Sequence, residues 1–402
     1  MTDICLGFEV HQPLRLDREF DSSNDAKTED LLELYFDNEW NENILKRVAE
    51  KCYLPANERI LENIKRFSDK DQDFKVTFSI SGVFLWQCKR WCPEVIESFQ
   101  RLNDTGNVEF LNQTFHHSLA SLFSEERNEF KEQVRMHREI MEELFDQDTV
   151  VFENTEFIYN DSIAETLGEM GYKGIFTEGM ENLLGGNSPN QIYKATGTDV
   201  KVFPRNYKLS DDIGFRFSNS DWKEYPLTAD KYAAWLSEVS GQAVNIFVDY
   251  ETFGEHQWPE TGIFEFLSWL PREILNYEGV RFVKPSQLVG KEDRGTVHVS
   301  DFGTISWADQ ARNTDAWIGN SMQRECYAKL KELGPKVKKI NDEDLLEVWR
   351  FLQTSDHLYY MYTAPGESKE VHNYFSQQSP YEAYKTMKNI LLDFESRVED
   401  LV

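Results

Sequence analysis

Three carboxylates and a histidine crowd the end of one apolar run: Val244-Asn245-Ile246-Phe247-Val248 leads into Asp249, Glu251, Glu255 and His256. An apolar strand that stops at Asp249 puts that carboxylate at the rim of a sheet, where α/β enzymes keep their chemistry. Like charges in a partly apolar pocket raise one another's pKa, as a general acid requires near neutrality. In so acidic a chain the same cluster also fits a solvated loop, so Asp249 needs a partner from elsewhere. Glu156 is the second candidate, because it follows the apolar start Val150-Val151-Phe152 and precedes a capped helix by a few residues. One carboxylate on each of two strand ends is the arrangement of a retaining glycosidase, with nucleophile and acid/base about 5–5.5 Å apart.

His11, His116, His117 and His256 also stand at or near strand ends. Each fits a core histidine, a substrate hydrogen-bonder or a metal ligand, and a metal-dependent sugar deacetylase would use histidines and acids in such places. No His-x-x-x-His or Asp-Asp signature accompanies them, so the expectation is neither metal nor cofactor. Trp222, Trp258, Trp307 and Trp317 suit stacking on the apolar face of a pyranose, although tryptophans also serve as core.

The elements that must carry these groups alternate. Strands are expected at residues 4–10, 74–81, 108–115, 150–159, 174–179, 215–217 and 244–249. Helical spacing follows at Ile60, Ile64 and Phe67, after Pro93, after Ser124, and after Ser162 with Glu165 as a capping box. Strand–helix alternation means a parallel sheet, and polar residues gathered just after the strands favour a closed barrel. No Gly-x-Gly-x-x-Gly follows the first strand, which weakens a dinucleotide-binding reading. From about residue 310 the pattern is helical only: one helix ends at Gly334-Pro335, a second runs from Asp342, and Ser379-Pro380 caps a third. The expectation is an α/β chain with a barrel over residues 1–290 and a helical domain over 291–402 that packs on it and completes the cleft.

Composition limits the partners. A chain of 402 residues with 40% hydrophobic and 14% aromatic content can bury a sizeable core. A formal net charge of −28 argues against nucleic acid or an anionic membrane and leaves a neutral polymer unaffected. Such acidity also suits a salt-rich interior, where screening removes the repulsion. Five scattered cysteines make no disulfide framework, the first residues carry no basic signal region, and no apolar run is long enough to span a membrane. A cytoplasmic location is expected; the oligomeric state is left open.

At these residues the sequence resembles glycoside hydrolase family 57, in particular its archaeal-type α-amylase branch. The motifs occur in order along nearly the whole chain: His11-Gln12-Pro13; Gly106-Asn107-Val108-Glu109; Asn154-Thr155-Glu156-Phe157-Ile158-Tyr159-Asn160; and Asp249-Tyr250-Glu251-Thr252-Phe253-Gly254-Glu255-His256. Leu209 to Ser218, Ser306-Trp307-Ala308-Asp309, Trp317-Ile318-Gly319-Asn320 and Leu352-Gln353-Thr354-Ser355-Asp356-His357 look like that branch too. The resemblance implies an incomplete (β/α)7 barrel with a C-terminal α-helical domain, and retaining cleavage of α-1,4-glucan without a metal. It implies Glu156 as nucleophile and Asp249 as general acid/base, with His11 and Glu109 on the sugar beside the cleaved bond and Trp307 as a wall. His117, Trp222, Glu251, His256 and Asp309 are the further substrate-binding candidates; His116 and His117 stand where aromatic residues were expected. A 4-α-glucanotransferase with the same pair, or a non-catalytic glucan-binding relative, are the alternatives.

Overall fold

The computed structural model describes residues 2–21, 30–68, 73–124, 126–182, 184–363 and 378–401. Its strands are β1 (Thr2–Val10), β2 (Val76–Ile80), β3 (Val108–Leu111), β4 (Val151–Phe152), β5 (Gly174–Glu178), β6 (Tyr193–Ala195), β7 (Lys201–Arg205), β8 (Ala243–Asp249), β9 (Val280–Phe282) and β10 (Thr296–Val297). The β1, β2, β3, β8 and β7 strands are parallel neighbours, β7 continues to β5 and β4, and the bridge Asn112–Phe152 brings β4 back to β3. The result is a nearly closed ring of seven parallel strands. It is thin at two junctions: β7 and β8 share only the pair Arg205–Asn245, and β3 and β4 only the bridge Asn112–Phe152. β2 is buried throughout and β8 until Asp249; the polar Thr77 and Ser79 of β2 are satisfied inside by the Glu109 carbonyl and the Glu153 carboxylate.

Helices follow the strands. Ser81 follows β2 and caps helix Gly82–Trp91 by accepting from the Phe84 amide, and Pro93 opens the next helix at its first turn. Two expected caps fall elsewhere. Asn160, not Ser162, caps Asp161–Glu169, and the helix expected from Ser124 begins at Asn128. The sixth barrel strand also differs: residues 215–217 form the turn after helix Tyr207–Gly214, and Lys201–Arg205 supplies the strand.

From Asp315 onward the described elements are helical: Asp315–Ile318, Ser321–Ile340, Glu343–Phe351, Ser355–Tyr359 and Pro380–Glu399. Ser321–Ile340 passes through Pro335 instead of stopping there. Gly334 lets that helix lie against Trp349, since a Cβ there would sit 2.6 Å from the indole. Trp317, Trp349, Leu358 and Phe394 share one apolar core with Leu14, Phe36, Phe130 and Phe152, so the helices are seated directly on the barrel. Among the described residues no helix is long and apolar enough to cross a membrane.

Candidate active site

The functional side chains converge at the carboxyl ends of the strands. Glu156 lies on the short turn Thr155–Phe157 after β4, with φ 61° and ψ 25°. Phe157 follows at φ 55°, so two successive non-glycine residues are left-handed. Each such residue costs on the order of 1–3 kcal/mol and persists only where its surroundings hold it. Here Phe157 is fully buried against Phe176, Phe247 and Trp307, the last stacked at 4.8 Å. The turn thus presents the Glu156 carboxylate upward while its neighbour is wedged into the core.

Both Glu156 oxygens are engaged. The Trp307 indole N–H donates to Oε2 at 2.8 Å, and the Ser355 hydroxyl donates to Oε1 at 3.2 Å. His117 Nε2 stands 3.5 Å from Oε1. The Trp307 amide also donates to the Glu156 carbonyl at 3.1 Å, which ties residues 306–308 to the turn. Ser355 belongs to the helical part, so that part completes the surroundings of Glu156.

Asp249 ends β8 opposite Glu9 of β1 and remains partly exposed. Its carboxyl is pushed up to about 7, first by burial and then by the charge of Glu156, with Arg205 pulling the other way. Arg205 is fixed by the Phe247 carbonyl at 2.8 Å, Asp211 at 2.8 Å and Glu178 at 3.1 Å. Arg312 joins Asp211 at 2.7 Å and also donates to the Trp307 carbonyl. This buried network of two arginines and two acids braces Trp307, whose ring lies 5.5 Å from the Arg205 guanidinium.

His11 lies in the same cluster. Its Nδ1 is 2.7 Å from the Ser81 hydroxyl and its Nε2 is 2.9 Å from Asp356. Burial lowers its imidazole to about 4, helped by His117 and opposed by Asp356. A neutral ring then carries its proton on Nε2 toward Asp356 and accepts from Ser81. Burial alone would raise the Asp356 carboxyl, but the imidazoles of His11 and His117 hold it below the usual carboxylate range.

The other expected residues divide. Asp309 bonds to the Tyr362 hydroxyl and lies in the field of Tyr359, which also feels Glu156 and Asp249. Glu251 sits behind Asp249, accepts from the Tyr53 hydroxyl at 2.5 Å, and is raised to about 8, chiefly by burial. Glu255 pairs with Arg47 at 2.6 Å. The His256 side chain is at the surface, and its amide donates to the Glu251 carbonyl at 2.9 Å. Gly254 makes this hairpin possible: its φ is 112°, and a Cβ would lie 2.0 Å from the Lys51 carbonyl oxygen.

Two expected sugar binders are engaged elsewhere. Glu109 is the second residue of β3, below the strand ends, and accepts from the Ser286 amide at 3.1 Å and hydroxyl at 2.6 Å. It joins the amino side of the barrel, in the field of which lies Cys5 of β1. The Trp222 ring packs edge-on at 6.1 Å against Trp235 and lies 5.8 Å from the Arg216 guanidinium. Of the other tryptophans, Trp317 is core and Trp258 is exposed.

Sequence reasoning did not single out Ser355, Asp356, Tyr359, Arg205, Arg312, Glu178 or Asp211 as site residues. Ser355 and Asp356 lie inside the motif Leu352-Gln353-Thr354-Ser355-Asp356-His357, and the need of His11 for an acceptor is the signal that points to them. Among the described residues, no group of three or more His, Cys, Asp or Glu is arranged to hold a metal ion.

The profile of "Glycosyl hydrolase family 57" matches residues 5–300 of this chain. A protein of Methanocaldococcus jannaschii named "Putative alpha-amylase" is 47% identical over 409 residues, covering 99% of this chain and 85% of the relative. An "Alpha-amylase" of Pyrococcus horikoshii is 25% identical over 310 residues, 73% of this chain, which spans only 44% of that relative. Among solved structures, a 4-α-glucanotransferase from Thermococcus litoralis superposes with a TM-score of 0.69 at 15% identity, over 98% of this chain and 59% of the other. A branching enzyme of Thermococcus kodakaraensis gives 0.70 at 12% identity, over 98% and 89%. At these identities the structures show the shared fold, an incomplete (β/α)7 barrel with helices at its carboxyl-terminal end. The profile match and the 47% identical relative show more: this chain is an enzyme that belongs to glycosyl hydrolase family 57.

Proposed function

We propose that this enzyme cleaves α-1,4-glucosidic bonds in starch- or glycogen-like chains by retaining double displacement. The Glu156 carboxylate attacks the anomeric carbon as the bond to the glycosidic oxygen breaks, and Asp249 gives its proton to that oxygen. Asp249, now ionised, takes a proton from water as the water attacks the same carbon and the Glu156 ester breaks. His11 and Trp307 flank the reacting sugar, with Asp309 and Tyr359 further along the cleft.

The observation that carries this reading is the unlike treatment of the two acids. Glu156 is gripped at both oxygens, whereas Asp249 keeps its proton up to about pH 7, in part because Glu156 is nearby. Environments that set two carboxyls apart in this way assign acid and base roles. The name "Putative alpha-amylase" of the 47% identical relative supports the substrate class. All five cysteines are buried free thiols, and we place the enzyme in the reducing cytoplasm.

The test is the product profile from maltoheptaose. Only shorter maltooligosaccharides are expected; products longer than the substrate would reassign the enzyme to transfer between chains. Binding with no turnover would remove the catalytic reading altogether.

A further inference from the structure

Under Glu156 lies a run of buried polar groups that the proposed reaction leaves unused. Gln113, just after β3, donates from Nε2 to Glu9 at 2.9 Å and to Ser79 at 2.8 Å. Ser79 in turn donates to Glu153 at 2.8 Å, and Glu153 accepts from the Phe157 amide at 3.3 Å. The Gln113 amide therefore faces His117 with its oxygen, 2.8 Å from Nδ1. His117 Nδ1 is also 3.5 Å from Glu9, and its Nε2 is 3.5 Å from Glu156. A single line of contacts thus joins Glu153 and Glu9 to the nucleophile through Gln113 and His117.

The geometry constrains the protons. An amide oxygen only accepts, so Nδ1 of His117 must carry a hydrogen. A neutral imidazole protonated there would turn a lone pair toward Glu156; only the doubly protonated ring is attracted to it. We propose that Gln113 and the Glu9–Glu153 pair make His117 an imidazolium that positions Glu156, holding Oε1 from one side while Trp307 holds Oε2 from the other. The inference rests on Glu156 being the nucleophile and moves His117 from sugar binder to positioning residue.

The groups around the ring are consistent with this charge. His117 faces Glu9 from β1, the stacked His11 ring at 3.9 Å, Glu156 after β4, Asp249 at the end of β8 and Asp356 from the helical part. Burial pulls its proton off, but Glu156, Glu9 and Asp356 outweigh burial and raise it above the ordinary imidazole value. Glu9 and Glu153 are both buried and in contact, and two such carboxyls cannot both ionise. The pair keeps one proton and one negative charge, and the charge lies on the far side of His117 from Glu156.

The experiment is a ¹⁵N-imidazole NMR titration of the full chain, with the His117 signals assigned by their loss in His117→Gln. In the parent both ring nitrogens are expected to hold protons at pH 7. In the double variant Glu9→Gln/Glu153→Gln, which removes the charge of the pair, and separately in Glu156→Gln, the second proton should leave at a pH lower by roughly one unit. The alkaline limb of kcat on maltoheptaose, which requires protons on both Asp249 and His117, should move down in that double variant, with KM within roughly twofold and Tm unchanged. A merely structural Glu9–Glu153 pair would lower Tm and leave the limb in place. A parent His117 that is neutral at pH 7, or a titration indifferent to the Glu9–Glu153 pair, overturns the inference, and the parent spectrum alone decides even if a variant folds poorly. A parent with a doubly protonated His117 that cleaves no glucan would sink the proposed function and leave the His117–Glu156 pairing standing.

Discussion

Glu156 sits on a turn that is left-handed at two successive residues, whereas Asp249 continues a regular strand at φ −57° and ψ 133°. The first is aimed by strain and by named donors, Trp307 and Ser355. The second stands at the end of β8, and its charge state is set first by burial and then by Glu156, against Arg205. A nucleophile must hold one line of attack, so it is worth a strained backbone and rigid neighbours. A proton carrier must change charge twice per turnover, so a partly exposed strand end with a pKa near 7 suits it better.

Removing either acid breaks the comparison most severely. Glu156→Gln and Asp249→Asn are each expected to lower kcat on maltoheptaose by roughly 10³-fold or more. They should part on an aryl maltoside with a good leaving group, where Asp249→Asn recovers formation of the glycosyl-enzyme and Glu156→Gln does not. Equal loss on both substrates would deny the division of roles.

Trp307→Phe tests the grip on the nucleophile. It keeps a ring against Phe157 but loses the indole N–H, a bond to a charged group worth about 1.5–3 kcal/mol. The expected loss in kcat is roughly 10- to 100-fold with little change in Tm. The parent pH profile tests the other half. Asp249 must hold its proton for the first step, so kcat should fall as pH rises through about 7. An activity that climbs steadily to pH 9 would rule Asp249 out as the acid.

Glu251 gives a smaller, stability-based effect. Its folded pKa of about 8 lies above its ordinary 4.5, so the folded state binds more protons between those values. Stability therefore falls as pH rises through that window, and Glu251→Gln should flatten this slope in denaturant titrations. The smallest effect expected is that of Glu109→Gln, which leaves kcat unchanged and costs about 1 kcal/mol by weakening the contact to Ser286. A large loss in kcat would return Glu109 to the sugar.

Much of this was legible in the chain because apolar runs and carboxylates at their ends report directly on a parallel barrel. The strand missed, Lys201-Val202-Phe203-Pro204-Arg205, contains a proline that speaks against a central strand. It is tolerated beside the seam where β7 and β8 share one residue pair. The false strand at Phe215–Phe217 had the right alternation but only three residues, too few for the pattern to tell a turn from a strand. The helix expected to end at Pro335 runs on to Ile340, and Gly334 beside it packs on Trp349, a tertiary contact invisible to local propensity. Glu109 shows the same limit for the site, since a motif names a residue but not the end of the barrel toward which its side chain points. Ser355 and Asp356 lie far along the chain from Glu156 and His11, and only packing of the helices on the barrel brings them together.

The central claim is that Glu156 forms a covalent glycosyl intermediate that Asp249 helps to resolve. The direct measurement is the anomeric configuration of the first product, followed by ¹H NMR during early hydrolysis of maltoheptaose, before mutarotation. The account predicts the α-anomer, formed with net retention; initial accumulation of the β-anomer would contradict it.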